Sequence, residues 1–358
     1  MGRAGKVFIR ADASVTIGTG HVMRCLALAE RMRGAGLECR FVCRILPDLM
    51  KELIEENGFS VSLLGMEAGE DARESDAIET TGLLARFGPI DWLLVDHYDL
   101  GEAWERRMRP YARRIAVIDD WTDRRHDCDL LLNANVYDDA SAFTQKAHVP
   151  GHCATFLGPG FALLRRAFEE AGSRIRDGRI RRLLVGFGGG DAVNLTGRTL
   201  EALTDPAFAA LQADVVIGSG SAHAPDIRAY RDRLPGIRVH EWSGAMPALM
   251  AGADLAIGAA GVSAWERCCL ALPALIVTAA DNQEAGARYL GHRGAAVYLG
   301  RHDEVSTADI GIALRRLLAQ PAQVAEMSER ASRAMAGRSA EWPRLMAVLT
   351  DDRGREAD

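Results

Sequence analysis

The chain has 358 residues, which is enough for about two domains, each with a buried core of its own. Hydrophobic residues make up 48% and charged residues 26%, and these values exclude the disordered, collagen-like and coiled-coil classes. Lys and Arg number 43 and Asp and Glu 49, so the net charge of −6 argues against non-specific nucleic-acid binding. A small anionic ligand remains compatible with this charge, because a helix N-terminus binds anions without Lys or Arg.

The sequence carries no sign of a membrane segment or a metal site. No apolar run approaches the roughly 18 residues that span a bilayer, and Met1–Lys6 leads into a strand pattern without an apolar signal core. We therefore expect a cytoplasmic protein with no membrane partner. The seven cysteines are odd in number, and Cys39 and Cys43 have no second ligand pair nearby. We expect neither a disulfide nor a structural metal, and no cofactor.

The first half of the chain alternates strand and helix patterns, which is typical of a parallel sheet covered by helices. Strands are predicted at Lys6–Ala11, Leu37–Cys43, Ser60–Leu64, Asp91–Asp96 and Arg114–Asp119, and helices at Val22–Met32 and Leu49–Glu56. After Leu132 the alternation breaks, and Asn133–Gly160 is predicted to be irregular. A short helix follows at Phe161–Phe168.

Arg174–Arg182 carries five arginines in nine residues. Such a run indicates either phosphate binding or a solvated linker between domains, and we favour the linker. The alternation then resumes, with strands predicted at Arg182–Phe187, Ala213–Ile217, Arg238–Glu241, Asp254–Gly258 and Ala274–Thr278, and helices at Leu195–Leu203, Met246–Ala251 and Ser263–Leu270. The sequence thus predicts an α/β protein with two Rossmann-like domains at residues 1–165 and 183–358, joined by a linker at 166–182. Ligands of such sheets bind at the carboxyl ends of the strands.

The first glycine-rich turn, Ile17–Arg24, departs from the dinucleotide-binding fingerprint because His21 and Met23 interrupt its spacing. Gly18 and Gly20 allow the backbone to approach a ligand and to begin a helix. The helix dipole disfavours a charged imidazole at this position, so His21 could serve as a neutral base. A buried or capping histidine is an equally good interpretation of the turn alone.

Three further turns follow strands of the second half. Gly186–Asp191 offers the backbone N–H groups of Gly189 and Gly190 to a phosphate, although a plain tight turn explains it almost as well. Gly258–Glu266 begins a helix with small residues, and a carboxylate one turn inside, Glu266, suits a ribose as well as the helix dipole. Ala280–Glu284 presents amides that suit sugar hydroxyls, or forms a helix cap.

Together these motifs resemble the UDP-2,4-diacetamido-2,4,6-trideoxy-β-L-altropyranose hydrolases of pseudaminic acid biosynthesis. The resemblance runs in order from about residue 7 to 284 and lies in Arg10–Ser14, Gly18–Cys25, Val95–Tyr98, Ile118–Asp120, His126–Asp129, Gly158–Pro159, Ala162–Arg165, Gly188–Asp191, Trp265–Cys268 and Asp281–Gln283. It implies the GT-B arrangement of nucleotide-sugar enzymes, in which two domains border a cleft. The family usually has Gly-Gly-Ser-Thr before its Trp-Glu pair, whereas this chain has Ala260–Ser263, so Val262 offers no hydroxyl to a phosphate.

The resemblance implies a UDP-sugar hydrolase with His21 as the base and with Tyr98 and Asn282 around the sugar and water. Glu266 would hold the ribose, and the remaining substrate-binding candidates are Asp12, Gly18, Gly20, Arg24, Gly189, Gly190, Gly261, Ser263 and Gln283. We expect attack by a His-activated water with inversion, no metal, and a monomer. The alternatives are an inverting glycosyltransferase with a UDP-sugar donor and a UDP-sugar-binding subunit that needs a catalytic partner.

Overall fold

The computed structural model describes residues 5–14, 17–65, 72–135, 137–218, 221–241, 244–335 and 338–351. The chain divides into two compact units. The N-terminal unit comprises Met1–Arg165 and Gly337–Asp358, and the C-terminal unit comprises Arg166–Ala336. The last segment therefore belongs with the N-terminal unit, whereas the sequence pattern assigned it to the second domain, and residues 166–182 form part of the C-terminal unit.

The N-terminal unit is built on a seven-stranded sheet in which all neighbouring strands are parallel. Its strands are β1 (Lys6–Ala11), β2 (Glu38–Cys43), β3 (Ser60–Leu63), β4 (Ile90–Asp96), β5 (Ala112–Ile118), β6 (Leu130–Asn133) and β7 (Ala154–Leu157), in the order β3-β2-β1-β4-β5-β6-β7. The helices between them are α1 (Gly20–Gly34), α2 (Asp48–Glu56), α3 (Ala72–Phe87), α4 (Glu102–Met108) and α5 (Asp139–Lys146). The central strands are continuous buried apolar runs, as expected for a parallel sheet covered on both faces.

The C-terminal unit repeats this architecture with a six-stranded parallel sheet. In chain order it consists of α6 (Arg166–Glu170), β8 (Arg182–Gly186), α7 (Leu195–Leu203), β9 (Gln212–Ile217), α8 (Ala224–Ala229), β10 (Ile237–Glu241), α9 (Met246–Gly252), β11 (Leu255–Gly258), α10 (Val262–Cys269), β12 (Ala274–Thr278), α11 (Glu284–His292), β13 (Ala296–Arg301), α12 (Thr307–Leu318) and α13 (Pro321–Ala334). The strand order is β10-β9-β8-β11-β12-β13. Strands β8 and β11 are neighbours at the centre, and the turns after them therefore lie side by side.

The last helix, α14 (Arg338–Thr350), packs on the N-terminal unit. The buried indole of Trp92 in β4 donates a hydrogen bond of 2.9 Å to the carbonyl of Leu349. The guanidinium of Arg31 in α1 lies 4.1 Å from the centroid of the Trp342 ring. These contacts explain why the end of the chain groups with its beginning. Among the described residues, no helix combines the length and the apolar character needed to cross a membrane.

Two predictions about the middle of the chain are wrong. Asn133–Gly160 is not irregular, because it contains the helix α5 and the strand β7. The strand is only four residues long, which makes its pattern short. The helix begins after Asp138, whose carboxylate accepts a hydrogen bond from the N–H of Ser141 at 2.7 Å. Phe161–Phe168 is not one helix. A 3-10 turn over Pro159–Phe161 precedes four non-helical residues, and α6 begins only at Arg166.

The interpretation of the arginine run as a solvated linker fails at Arg176, which is 2% exposed. Its guanidinium donates to the carbonyls of Ala253 at 3.2 Å and Met250 at 2.9 Å, at the end of α9, and also to the carbonyl of Leu270 after α10. Burial and the neighbouring charge of Arg174 lower the pKa of Arg176 to about 10. This arginine therefore fastens two helix C-termini, whose free carbonyls favour a cation.

Candidate functional site

The turn before α1 places His21 in the first turn of that helix. Gly18 has a φ of +81°, a conformation that favours glycine, and its N–H donates to the carbonyl of Ser14 at 2.8 Å. Gly20 is the first residue of α1, which therefore begins two residues earlier than predicted. His21 is 7% exposed, so it is a nearly buried imidazole at the carboxyl edge of the sheet.

A buried carboxylate orients His21. Asp96 is the last residue of β4 and lies beside Ala11 at the end of β1, and its side chain is fully buried. Its Oδ1 lies 2.6 Å from Nδ1 of His21. An ionised carboxylate oxygen only accepts hydrogen bonds, so this contact favours the tautomer that carries the hydrogen on Nδ1 and the lone pair on Nε2. This arrangement is that of a general base with a carboxylate that stabilises the imidazolium it becomes.

Arg24, one helical turn after His21, clamps two carboxylates. Its Nε and Nη2 each donate to Asp96 at 2.6 Å, and its Nη1 donates to both oxygens of Asp120 at 2.8 and 2.9 Å. Burial acts to raise the pKa of Asp96, but the charges of Arg24 and His21 outweigh it and hold that pKa well below its usual range. Arg24, predicted to bind substrate, is 8% exposed, and its guanidinium is engaged by these two carboxylates.

Tyr98 stands against His21, with 4.5 Å between the ring centroids and nearly perpendicular planes. Its hydroxyl donates to Asp120, which also accepts from Nδ2 of Asn135 at 2.9 Å. Burial and the charge of Asp120 raise the pKa of Tyr98 above its usual value, so the hydroxyl stays protonated. Tyr98 therefore packs against His21 as a neutral hydrogen-bond donor.

Asp12 was predicted to contact substrate, and its surroundings speak against this. It is 2% exposed, and Arg10 donates to both of its oxygens at 2.5 and 2.9 Å. The backbone N–H of Arg44 donates to it at 2.7 Å, and Nε2 of His97 lies 3.2 Å away. Burial acts to raise the pKa of Asp12, but His97 and Arg10 outweigh it and hold that pKa far below its usual range. Asp12 fastens the end of β1 to the end of β2.

The loop after β5 carries Asp120 and is itself held by a second buried histidine. Nδ1 of His126 lies 2.7 Å from Glu105, and Nε2 lies 2.8 Å from Asp119. Burial acts to lower the pKa of His126, but the two carboxylates outweigh it and raise the pKa to about 9. A charged imidazolium between two carboxylates thus fixes the backbone on either side of Asp120.

In the C-terminal unit, the start of α10 is open to an anion. Its N-cap, Gly261, makes no side-chain cap, and Ser263 lies in the first turn. The buried Arg267 donates to the carbonyl of Ala259 and, at 3.4 Å, to the hydroxyl of Ser263, so it ties the turn to the helix. Glu266 is partly exposed one turn inside α10. A helix start without a side-chain cap, with a carboxylate one turn inside, is the combination predicted for a diphosphate and a ribose.

The start of α7 differs from that of α10, and this changes the phosphate-binding prediction for the turn before α7. The carboxylate of Asp191 accepts from the N–H groups of Leu195 at 2.8 Å and Thr196 at 2.9 Å, and the Asn194 side chain accepts from Gly197 at 3.0 Å. The first turn of α7 is therefore capped by the chain itself. Phosphate contacts predicted here remain only for the Gly189–Gly190 turn.

The last predicted pair lies in a 3-10 turn over Asp281–Gln283, directly after β12. Gln283 accepts from the N–H of Ala279 at 3.0 Å through Oε1, which fixes the turn. Asn282 is partly exposed. Because β11 and β12 are parallel neighbours, this turn and the start of α10 occupy the same edge of the sheet.

The structure brings the predicted residues together in two groups. His21, Arg24 and Tyr98 meet in the N-terminal unit, and Gly261, Ser263, Glu266, Asn282 and Gln283 follow adjacent strands of the C-terminal unit. Sequence reasoning missed Asp96 and Asp120, which join the first group, although both lie in strings that carry the family resemblance. Within the described residues, no cluster of three or more His, Cys, Asp or Glu side chains is arranged to hold a metal ion.

Residues 188–341 match the model of the glycosyltransferase family 28 C-terminal domain. The chain is 30% identical over 192 residues to the UDP-2,4-diacetamido-2,4,6-trideoxy-β-L-altropyranose hydrolase of Campylobacter jejuni, which covers 53% of this chain and 63% of that protein. It is also 30% identical over 174 residues to the spore coat polysaccharide biosynthesis protein SpsG of Bacillus subtilis, covering 48% of this chain and 50% of the relative. The chain thus spans about half to two thirds of these relatives.

Among solved structures, MurG of Acinetobacter baumannii superposes with a TM-score of 0.65 at 14% identity, covering 97% of this chain and all of that one. This likeness concerns the fold alone. Together with the two parallel sheets and their interleaved helices, it confirms the predicted α/β fold of GT-B type.

The His126 cluster makes stability depend on pH. The pKa of His126 is about 9 in the folded protein against 6.5 for an ordinary histidine, so the folded state binds the extra proton between these values. Its stabilisation is complete below about pH 6.5 and is lost as the pH rises through 9, by up to about 3 kcal/mol. Urea unfolding of the wild type at pH 6, 7.5 and 9 should show this decline.

The control is His126→Gln, which cannot take up the proton. Its free energy of unfolding should be lower than that of the wild type at pH 6, and the difference between the two proteins should shrink by pH 9. A pH-independent difference would contradict the assigned role of the imidazolium.

Proposed function

We propose that this chain is a nucleotide-sugar hydrolase that converts UDP-2,4-diacetamido-2,4,6-trideoxy-β-L-altropyranose into the free sugar and UDP. The observation that carries the proposal is the pairing of His21 with the buried Asp96 at 2.6 Å, which leaves Nε2 as a base. The substrate is proposed from the sequence strings around His21 and Tyr98 and from the identity to the Campylobacter hydrolase. The family 28 match supports binding of a nucleotide sugar by the C-terminal unit.

In the proposed reaction, Nε2 of His21 removes a proton from water as its oxygen attacks the anomeric carbon. The bond from that carbon to the UDP oxygen breaks, and UDP leaves as an anion. Asp96 stabilises the imidazolium, and Arg24 keeps Asp96 ionised and in place. The N–H groups at the start of α10 would stabilise the growing charge on the diphosphate.

The second candidate is an inverting glycosyltransferase, in which a sugar hydroxyl replaces water. The family 28 match and the GT-B-type fold are equally compatible with this candidate, because neither separates transfer from hydrolysis. Incubation of the purified protein with the UDP-sugar and no acceptor decides between them. Stoichiometric release of free sugar and UDP supports hydrolysis, whereas turnover only after a sugar acceptor is added supports transfer.

Replacement of the base tests the proposed chemistry. His21→Ala should lower kcat by about 10²- to 10⁴-fold, the usual contribution of a general base. His21→Asn, which keeps a polar side chain beside Asp96, should be similarly slow. Release of UDP under saturating substrate measures both, and unchanged thermal unfolding shows that the fold is retained. A kcat near that of the wild type would remove His21 from the mechanism.

Glu266 should act on binding and not on the chemical step. Loss of a charge-assisted hydrogen bond to the ribose costs about 1.5–3 kcal/mol, so Glu266→Ala should weaken UDP affinity about 10- to 100-fold. Calorimetric titration with UDP gives the affinity. The matched control is Glu329→Ala, an exposed helical glutamate of the same unit that pairs with Arg333. Equal affinities in both variants would make Glu266 a helix-dipole residue only.

A single displacement fixes the stereochemistry. Asp12, the carboxylate nearest in sequence to the turn, is buried in ion pairs and is not available as a nucleophile. The first product should therefore carry the inverted anomeric configuration, and a chelator should leave the rate nearly unchanged. Proton NMR in the first seconds of turnover reads the anomer before mutarotation. Initial retention would require a covalent intermediate, and loss of activity in chelator that a divalent ion restores would require a metal.

A further inference from the structure

Trp121 is an exposed aromatic residue at the carboxyl edge of the N-terminal sheet. It is 38% exposed, whereas the other tryptophans whose side chains the structure describes are at most 6% exposed: Trp92, Trp104, Trp265 and Trp342. It directly follows Asp120, which binds Arg24 and Tyr98. An exposed apolar side chain beside a cluster of polar residues indicates a ligand-binding role more strongly than a single one on an open surface.

Buried polar groups hold the backbone of Trp121 on both sides. Its N–H donates to Asp119 at 3.2 Å, and its carbonyl accepts from Nδ2 of Asn133 at 3.5 Å and Nε2 of Gln145 at 2.8 Å. Asn133 is fully buried and Gln145 is 1% exposed, and the two amides bond each other at 3.0 Å. Burying two amides is costly unless their hydrogen bonds are satisfied, and here these bonds hold the backbone from which the exposed indole projects.

The indole is also close to the base. Its ring centroid lies 6.4 Å from that of Tyr98 at an angle of 69°, and the Tyr98 ring in turn contacts His21. A near-perpendicular contact leaves the indole unstacked on Tyr98. Trp121 therefore presents exposed apolar surface beside Tyr98, the residue that packs against His21.

We propose that Trp121 forms a sugar-stacking subsite, in which the indole packs against the C–H face of the pyranose ring of the substrate. Carbohydrate rings present such apolar faces, and an indole offers a large rigid apolar surface at a small cost in side-chain entropy. This proposal rests on the proposed function and deepens it. The subsite recognises the sugar and leaves the UDP moiety to other residues.

The test separates the two parts of the substrate. Trp121→Ala should raise the KM for UDP-2,4-diacetamido-2,4,6-trideoxy-β-L-altropyranose on the order of tenfold while the affinity for UDP alone stays unchanged. Trp121→Phe keeps a stacking ring and should recover most of the loss. Phe143→Ala is the matched control, since Phe143 is another exposed aromatic of the same unit, at 77% exposure, and should change neither value.

A second measurement does not require turnover. Acrylamide quenching of the emission that the wild type has and Trp121→Phe lacks reports access to this indole. The UDP-sugar should protect that emission, and UDP should not. An unchanged KM in Trp121→Ala, or equal protection by UDP and the UDP-sugar, overturns the subsite. If the wild type protects its indole with the UDP-sugar but releases no free sugar, the hydrolase assignment fails and the subsite stands.

Discussion

Asp96 is the group on which the rest of the N-terminal site depends. A carboxylate with no exposed surface is costly to bury, and it remains ionised because Arg24 donates to both of its oxygens and His21 lies against it. The same guanidinium reaches Asp120, and Asp120 in turn receives the hydroxyl of Tyr98. One buried charge at the end of β4 thereby fixes the first turn of α1 and the loop after β5.

The charges of this cluster bear on the chemistry as well as on the geometry. Two carboxylates, Asp96 and Asp120, face a single guanidinium, so the three groups together carry a formal charge of −1 while His21 is neutral. The sum over these three groups and His21 becomes zero when His21 accepts a proton. In the proposed reaction, this negative charge is in place before the proton moves, so it would stabilise the imidazolium without reorganisation during the step.

Much of the fold follows from local patterns, and the failures have physical reasons. The predicted bounds of β1, α7 and β12 match the structure, because their apolar residues recur at regular spacing. Helix α3 escaped prediction since its buried face includes Asp76, which pairs with Arg10, and this breaks the apolar period. His21 was predictable from its turn, whereas Asp96 lies 75 residues away and reads in sequence as the polar end of a strand.

Helices α7 and α10 of the C-terminal unit have similar sequence patterns at their N-termini but different structures there. Both follow glycine-containing turns after central strands, and sequence reasoning treated them alike as phosphate sites. At α7, the side chains of Asp191 and Asn194 already accept hydrogen bonds from first-turn N–H groups, so an anion bound there would lie against the carboxylate of Asp191. Gly261 brings no side chain to α10, and Arg267, whose pKa burial lowers to about 10, places a buried guanidinium behind the turn. Both features favour an anionic ligand, so the start of α10, which has no side-chain cap, is the stronger candidate of the two for the proposed phosphate site.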